Sequence, residues 1–211
     1  MPQLLYQGHA SFRLTADDGR VIYIDPYVGD GYDRPASLIV VTHNHGDHNR
    51  VRLCARAADC RVITSRDALA NGRHQRFDIA GIDLEAVEAK NLLHSPKKCV
   101  GYIIRLDGVS LYHSGDTSTT AQMAQLASYQ LDYALLCGDG KINMGPAEAA
   151  RCARLIGARH NIMMHNQPGH LFNLAKAQRW DAPNKLIVQP GQEIELEPAP
   201  DADRFARSDG G

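Results

Sequence analysis

Apolar residues fall in short runs along this chain, broken by turns rich in Gly, Asp, Asn and Pro. β-Branched and aromatic content predicts short strands at 4–6, 11–15 and 21–25, with Asp17-Asp18-Gly19 as the hairpin turn between the last two. Leu38-Ile39-Val40-Val41 predicts a buried strand. The Gly-, Asp- and Tyr-rich loop at 29–35 precedes it and is placed at one rim of a cleft. Further on, 50–58 reads as a short helix, 61–64 as a strand, and 65–71 as a helix ended by Asn71-Gly72. Strands follow at 84–89, 100–106 and 109–112, the last two paired about Asp107-Gly108. Residues 120–128 predict a helix burying Met123, Leu126 and Ala127, and 133–137 a strand. Pro146 opens the next helix and Gly157 closes it, with Leu155 and Ile156 inward and Arg151 and Arg154 in water. A strand at 161–164, a helix at 171–180, and closing strands at 186–188 and 193–196 around Pro190-Gly191 complete the chain. Hairpins dominate the start and strand–helix units the end. That pattern predicts an α/β (α+β) fold, two mixed sheets packed face to face with helices outside: a four-layer αβ/βα sandwich.

Composition narrows the setting. With 211 residues, 44% of them hydrophobic, the chain is expected to form one domain over 1–197, followed by a flexible tail at 198–211. A net charge of −1 argues against a dedicated nucleic-acid binder, which would carry a basic field. No apolar run approaches the roughly 20 residues of a membrane span. The N-terminus shows no basic segment followed by an apolar one, so a cytoplasmic protein without a leader is expected. The five cysteines form no C-x-x-C pair and read as reduced, mostly buried thiols.

The candidate chemistry lies directly after the strand at 38–41. His43, His45, Asp47 and His48 occur within six positions, and Gly46 permits a sharp backbone turn among them. A loop at a strand end can aim several side chains at one point, which consecutive residues of a regular element cannot do. Imidazoles with a carboxylate suit zinc, manganese or iron. The motif alone supplies too few ligands for two ions. His94 and Asp116 each follow a predicted strand and are candidates to complete the site, although Asp116 would serve equally as a helix N-cap. His9 and Asp25 sit at strand ends where they would support a ligand through a hydrogen bond. His74 is expected at the surface, His160 is read as structural, and His113 is expected to point away from the site.

Thr42-His43-Asn44-His45-Gly46-Asp47-His48 resembles the signature of the metallo-β-lactamase superfamily. Gly8-His9-Ala10-Ser11-Phe12 and Ile24-Asp25-Pro26-Tyr27 resemble its small bacterial metal-dependent hydrolase branch, which includes ascorbate-lactonase-like proteins. The likeness runs from about Leu4 to Leu196. It implies a binuclear site: His43, His45 and His94 on one divalent ion, Asp47, His48 and His165 on the other, and Asp116 bridging. Zinc is expected first, with manganese or iron as alternatives. It further implies a hydroxide shared by the ions and oriented by Asp47. The loop 138–145 is similar to one the family sets beside its metals, which makes Lys141 and Asn143 candidate substrate contacts, and His170 a candidate at the mouth.

The function expected is hydrolysis of a small ester or lactone, with a phosphodiester second. The alternatives are a metal-binding or sensor protein of the same fold without turnover, or a nuclease. The expected partner is a small-molecule substrate, not a membrane or a nucleic acid, and a homo-oligomer is left open. A secreted β-lactamase is disfavoured, because the bridging position carries Asp116 and not cysteine.

Overall fold

A computed structural model describes residues 1–200. The tail expected at 198–211 therefore lies almost wholly outside the described residues. The first sheet contains β1 (Gln3–Gly8), β2 (Ser11–Thr15), β3 (Val21–Ile24), β4 (Ala36–Val40), β5 (Arg56–Ile63) and β13 (Glu193–Glu195), in the order β13-β1-β2-β3-β4-β5. The second contains β6 (Arg76–Ile79), β7 (Ile82–Glu88), β8 (Val100–Leu106), β9 (Val109–His113), β10 (Tyr133–Cys137), β11 (His160–Met164) and β12 (Lys185–Leu186), in the order β12-β11-β10-β9-β8-β7-β6. Each sheet is mixed: β13, β1, β2 and β3 pair antiparallel and β3, β4 and β5 parallel in the first, while β6 to β9 pair antiparallel and β9 to β12 parallel in the second. Inward side chains such as Leu4, Phe12, Ile24 and Val40 meet Leu84, Tyr102 and Ile104 in one core. The outer face of the first sheet holds a smaller core of Val21, Tyr23, Tyr32, Ile39 and Cys54. Helix α1 (Ser65–Ala68) packs beside β5, and α2 (Pro146–Ile156) covers β10, burying Ala149, Cys152, Ala153 and Ile156. The molecule is the expected αβ/βα sandwich.

Several elements differ from the sequence-based expectation. Residues 50–58 are not a helix: a single 3-10 turn at Val51–Leu53 leads into edge strand β5, which absorbs the strand expected at 61–64. Arg, Leu and Ala in that stretch favour helix, and pairing with β4 overrides that propensity. The helix at 65–71 shrinks to α1 and a 3-10 turn broken at Asn71, whose φ is +57°. The 3-10 helix Ala121–Tyr129 replaces the α-helix expected there, so its period of three buries Met123 and Leu126 and leaves Ala127 exposed. Leu155 is 44% exposed, whereas Ile156 is buried. The last helix is shorter, α3 (Leu174–Arg179), because Asn166 holds the chain at Asn173 through bonds of its side chain to both the amide and the carbonyl. The closing strands do not pair together: β12 joins the second sheet and β13 the first. The loop at 29–35 does not rim the cavity. Its Gly31 carbonyl accepts from Arg13 and Tyr23, and Tyr32 enters the outer core.

What positions the site is strand direction. β1, β3 and β4 point one way in the first sheet, as do β7, β9, β10 and β11 in the second. Their C-terminal ends meet along one edge of the sandwich, stitched by Val100 N–H to the Thr42 carbonyl, His165 N–H to the His9 carbonyl and Tyr102 O–H to the Val41 carbonyl. Gly115 lies in this seam with φ +59°, where a Cβ would sit 2.6 Å from the Val100 carbonyl oxygen. Only glycine fits.

Candidate metal centre

Every candidate ligand or supporting residue sits past one of these strand ends: His9 after β1, Asp25 after β3, the His43–His48 loop after β4, His94 after β7, Asp116 after β9, and His165 after β11. Three of them, His9, Asp25 and His165, adopt left-handed backbone conformations with φ of +58°, +44° and +41°. Non-glycine residues rarely do so, and such strain persists where surrounding structure fixes it, typically at functional sites.

The side chains converge in overlapping groups whose ligand atoms lie within 4.8 Å of one another: His43, His45 and His94; His9, Asp47, His48 and His165; and His43, His48 and Asp116. Asp116 Oδ1 stands 3.4 Å from both His48 Nε2 and His165 Nε2, which places the carboxylate between the groups. The structure thus brings together all seven residues of the expected ligand set. It also adds His9, whose Nε2 is 3.2 Å from Asp47 Oδ2 and whose ring centroid is 3.8 Å from that of His165.

Supporting bonds orient these groups. Buried Asp25 accepts from Thr42 N–H at 2.7 Å, from Thr42 O–H at 2.6 Å and from His48 Nδ1 at 2.7 Å. A supporting place beside a candidate ligand was expected of Asp25 from the sequence; three other residues were not singled out. Asp139, at the end of β10, places Oδ2 3.2 Å from His165 Nδ1. Asn91 lies 2.7 Å from His94 Nδ1 and accepts the amides of Leu93 and His94. Arg50 caps the motif loop, bonding the Gly46 carbonyl and covering the Tyr27 ring at 4.6 Å. The strand-end position of Asp139 was a signal shared with Asp25 and Asp116.

Of the expected substrate contacts, Asn143 is buried and bonds Asp139 and Asn91, with Asp116 also in reach of its amide, so it braces the site. Lys141 is exposed, and its amide bonds Asp139. His170 is exposed on a turn and stands apart from the converging imidazoles. His113 donates from Nε2 to the Ala10 carbonyl, away from the cluster, and His160 stacks on Tyr133. All five cysteines are free, four of them buried, and none joins a group of ligand type.

A metal centre fits these residues. Nε2 of His43, His48 and His165 and Oδ1 of Asp116 are buried without a hydrogen-bond partner. Leaving such atoms unsatisfied costs about 1–3 kcal/mol each, and divalent cations held in the overlapping groups would satisfy them. Nitrogen-rich donors with oxygen suit zinc, manganese or iron.

A family model described as the beta-lactamase superfamily domain matches residues 3–165. The chain belongs to the metallo-β-lactamase superfamily. It is 30% identical over 232 aligned positions to a UPF0173 metal-dependent hydrolase of Thermococcus kodakarensis, covering 93% of this chain and 100% of that protein. A solved structure from Parabacteroides distasonis superposes with a TM-score of 0.72 at 26% identity, over 90% of this chain and 94% of that one. Igni18, a metallo hydrolase of Ignicoccus hospitalis, shares the fold with a TM-score of 0.71 at 22% identity, over 93% and 99% of the two chains. This superfamily member is therefore one of a family of metal-dependent hydrolases.

Its charges make a pH prediction. Burial alone would lower the His48 pKa, but Asp116 and Asp25 outweigh it and push it up to about 9. In His165, burial is likewise outweighed by Asp116 and Asp139, and the pKa rises. His43 goes the other way, to about 3, through burial first and then His48. Burial also lowers His94 and His9. In chelator-treated protein, the stabilisation from raised histidines is complete below the unfolded value of about 6.5 and lost as pH rises through about 9. The lowered histidines have made their opposite contribution by about pH 7, so they do not mask this window. Melting temperature of the chelated protein should fall between about pH 7 and 9.5, with His48 contributing on the order of 3 kcal/mol. The metal-loaded protein should not show this fall. Equal slopes for the two forms would remove His48 and His165 from the proposed ligand set.

Proposed function

We propose that this protein hydrolyses a small ester or lactone, with a phosphodiester as the second class, at a centre of two divalent ions. The observation that carries the reading is the convergence on Asp116 of imidazoles whose buried Nε2 atoms have no hydrogen-bond partner. His43, His45 and His94 would hold one ion, Asp47, His48 and His165 the other, and Asp116 would serve both. Divalent ions so bound lower the pKa of water toward about 7 and polarise a carbonyl or phosphoryl oxygen.

The chain's own residues do the rest. Asp47 is held well below the usual carboxylate range, first by the bond from His9, so it stays ionised and acts as an acceptor that orients water, not as a free base. Asp25 fixes the His48 ring, Asp139 faces His165, and Asn91 seats His94. A cavity of about 1200 Å³ opens on the side of His43, His45 and His94, and gives a substrate access. Five free cysteines suit a reducing compartment, and we place the protein in the cytoplasm. Among the described residues no helix is long and apolar enough to cross a membrane.

The test is an assay panel of p-nitrophenyl esters, lactones and bis-p-nitrophenyl phosphate with metal-loaded protein. Turnover should vanish with chelator, return with Zn²⁺ or Mn²⁺, and accompany two ions per chain by elemental analysis. Two ions bound without turnover of any panel member would leave a metal-binding or sensor protein of this fold.

A further inference from the structure

The cavity beside His43, His45 and His94 has an uneven chemical lining. Its walls carry apolar Val41, Val51, Val62, Leu69 and Leu93. Its charged lining is Arg66, on α1, with Lys97 and Lys98, on the loop that follows His94, against one carboxylate, Asp67. Asp67 is already engaged, since it accepts from the Thr64 amide at 2.9 Å and the Thr64 hydroxyl at 2.7 Å as a helix cap. Among the described residues, none of the three cations makes a salt bridge, although Arg66 lies near enough to Asp67 to influence it. Two separate elements thus bring cations to one cavity. The net charge of the whole chain is only −1, so this is a local concentration and not a reflection of overall basicity.

We propose that Arg66, Lys97 and Lys98 form an anion subsite, so that the favoured substrate is an ester or lactone carrying a carboxylate or phosphate several bonds from the scissile group. This rests on the hydrolase reading above. The scissile carbonyl would lie at the His43, His45 and His94 end and the apolar segment along Val51, Val62 and Leu69. The anion would reach the cationic lining. A cavity of about 1200 Å³ exceeds what a minimal ester fills, so a second recognition element has room. Lysines on a flexible stem receive a point charge, while the Arg66 fork suits a planar carboxylate or a phosphate oxygen pair.

The experiment compares p-nitrophenyl butyrate, mono-p-nitrophenyl glutarate and p-nitrophenyl 4-phosphonobutyrate, each corrected for its uncatalysed rate. With metal-loaded wild type, kcat/KM should be at least ~10-fold higher for an anionic ester than for the neutral one. The glutarate and phosphonate arms identify which anion is preferred. In the Arg66→Ala/Lys97→Ala/Lys98→Ala variant the advantage should disappear through KM, with the butyrate within about 2-fold of wild type. Higher salt should reduce the advantage in wild type and not in the variant. Equal kcat/KM for neutral and anionic esters in wild type, or an advantage that survives in the variant, overturns the subsite. Calorimetric binding of glutarate to the loaded protein separates the two readings. If no ester is turned over but glutarate binding weakens at least ~10-fold in the variant, the ester reading fails and the anion subsite stands. Glutarate binding that is unchanged in the variant would mean that the ions, not these cations, hold the anion, and sinks the proposal.

Discussion

Asp116→Ala is expected to leave about one ion per chain and to reduce turnover by at least ~10³-fold, the scale on which removal of a key charge-stabilising group acts. The carboxylate is buried, 3.4 Å from two imidazole nitrogens that belong to different rings, and it lies in the group shared by His43 and His48. Two like-charged ions repel, and a shared anion offsets the repulsion. Without it, the trio of His43, His45 and His94 should keep its ion, because three imidazoles still hold it. The group around His48 and His165 should release its ion. Elemental analysis and kcat on the same preparation check this. A second readout is independent of turnover: Asp116 is the largest of the charges that raise the His48 pKa, so the chelated variant should lose much of the alkaline fall in melting temperature. Asp116→Ala with two ions and wild-type activity would remove Asp116 from the proposed ligand set.

Asp25→Ala is expected to destabilise the fold by about 3–5 kcal/mol, the cost of stripping one partner from a buried charged pair. Asp25 is fully buried, and its loss would leave the Thr42 amide and the His48 Nδ1 proton without acceptors. For a domain of this length that corresponds to a melting temperature lower by about 10 °C. The more informative change is Asp25→Asn. Its oxygen can still accept from the Thr42 amide, but the new –NH₂ would face His48 Nδ1. That forces the ring to accept at Nδ1 and carry its proton on Nε2, the atom the proposed ion requires. The fold should survive, while metal affinity at the His48 group falls about 10–100-fold. Metal binding by Asp25→Asn equal to wild type would show that Asp25 has only a structural role.

The site was legible because its candidate ligands occupy the strand-end loops. Leu38-Ile39-Val40-Val41 breaking into His43-Asn44-His45-Gly46-Asp47-His48 announces a buried strand delivering donors to a turn. Asp17-Asp18-Gly19 and Asp107-Gly108 mark their hairpins by backbone chemistry alone. Pro146 and Gly157 bound their helix for the same reason: a fixed φ and a missing N–H at one end, a left-handed cap with φ +68° at the other.

Other features had no local cause to read. Residues 50–58 have a composition that favours helix, and only pairing along the edge of β4 draws their end into β5. The closing strands look like a hairpin, yet β12 completes the second sheet and β13 the first, because each sheet offered an edge within reach. Asn143 looked like a substrate contact in a glycine-rich loop, but its amide is spent on Asp139 and Asn91. His9 reads from the sequence only as a supporting histidine; its left-handed backbone decides that the ring faces Asp47 and His165. By itself the sequence determined which residue types stand at strand ends, since alternation, turn chemistry and ligand type are properties of neighbouring residues. Only the tertiary structure decided which ends share an edge, and so which carboxylate faces which imidazole. Those pairings are set by two sheets packing on one core, between residues as far apart as His9 and His165.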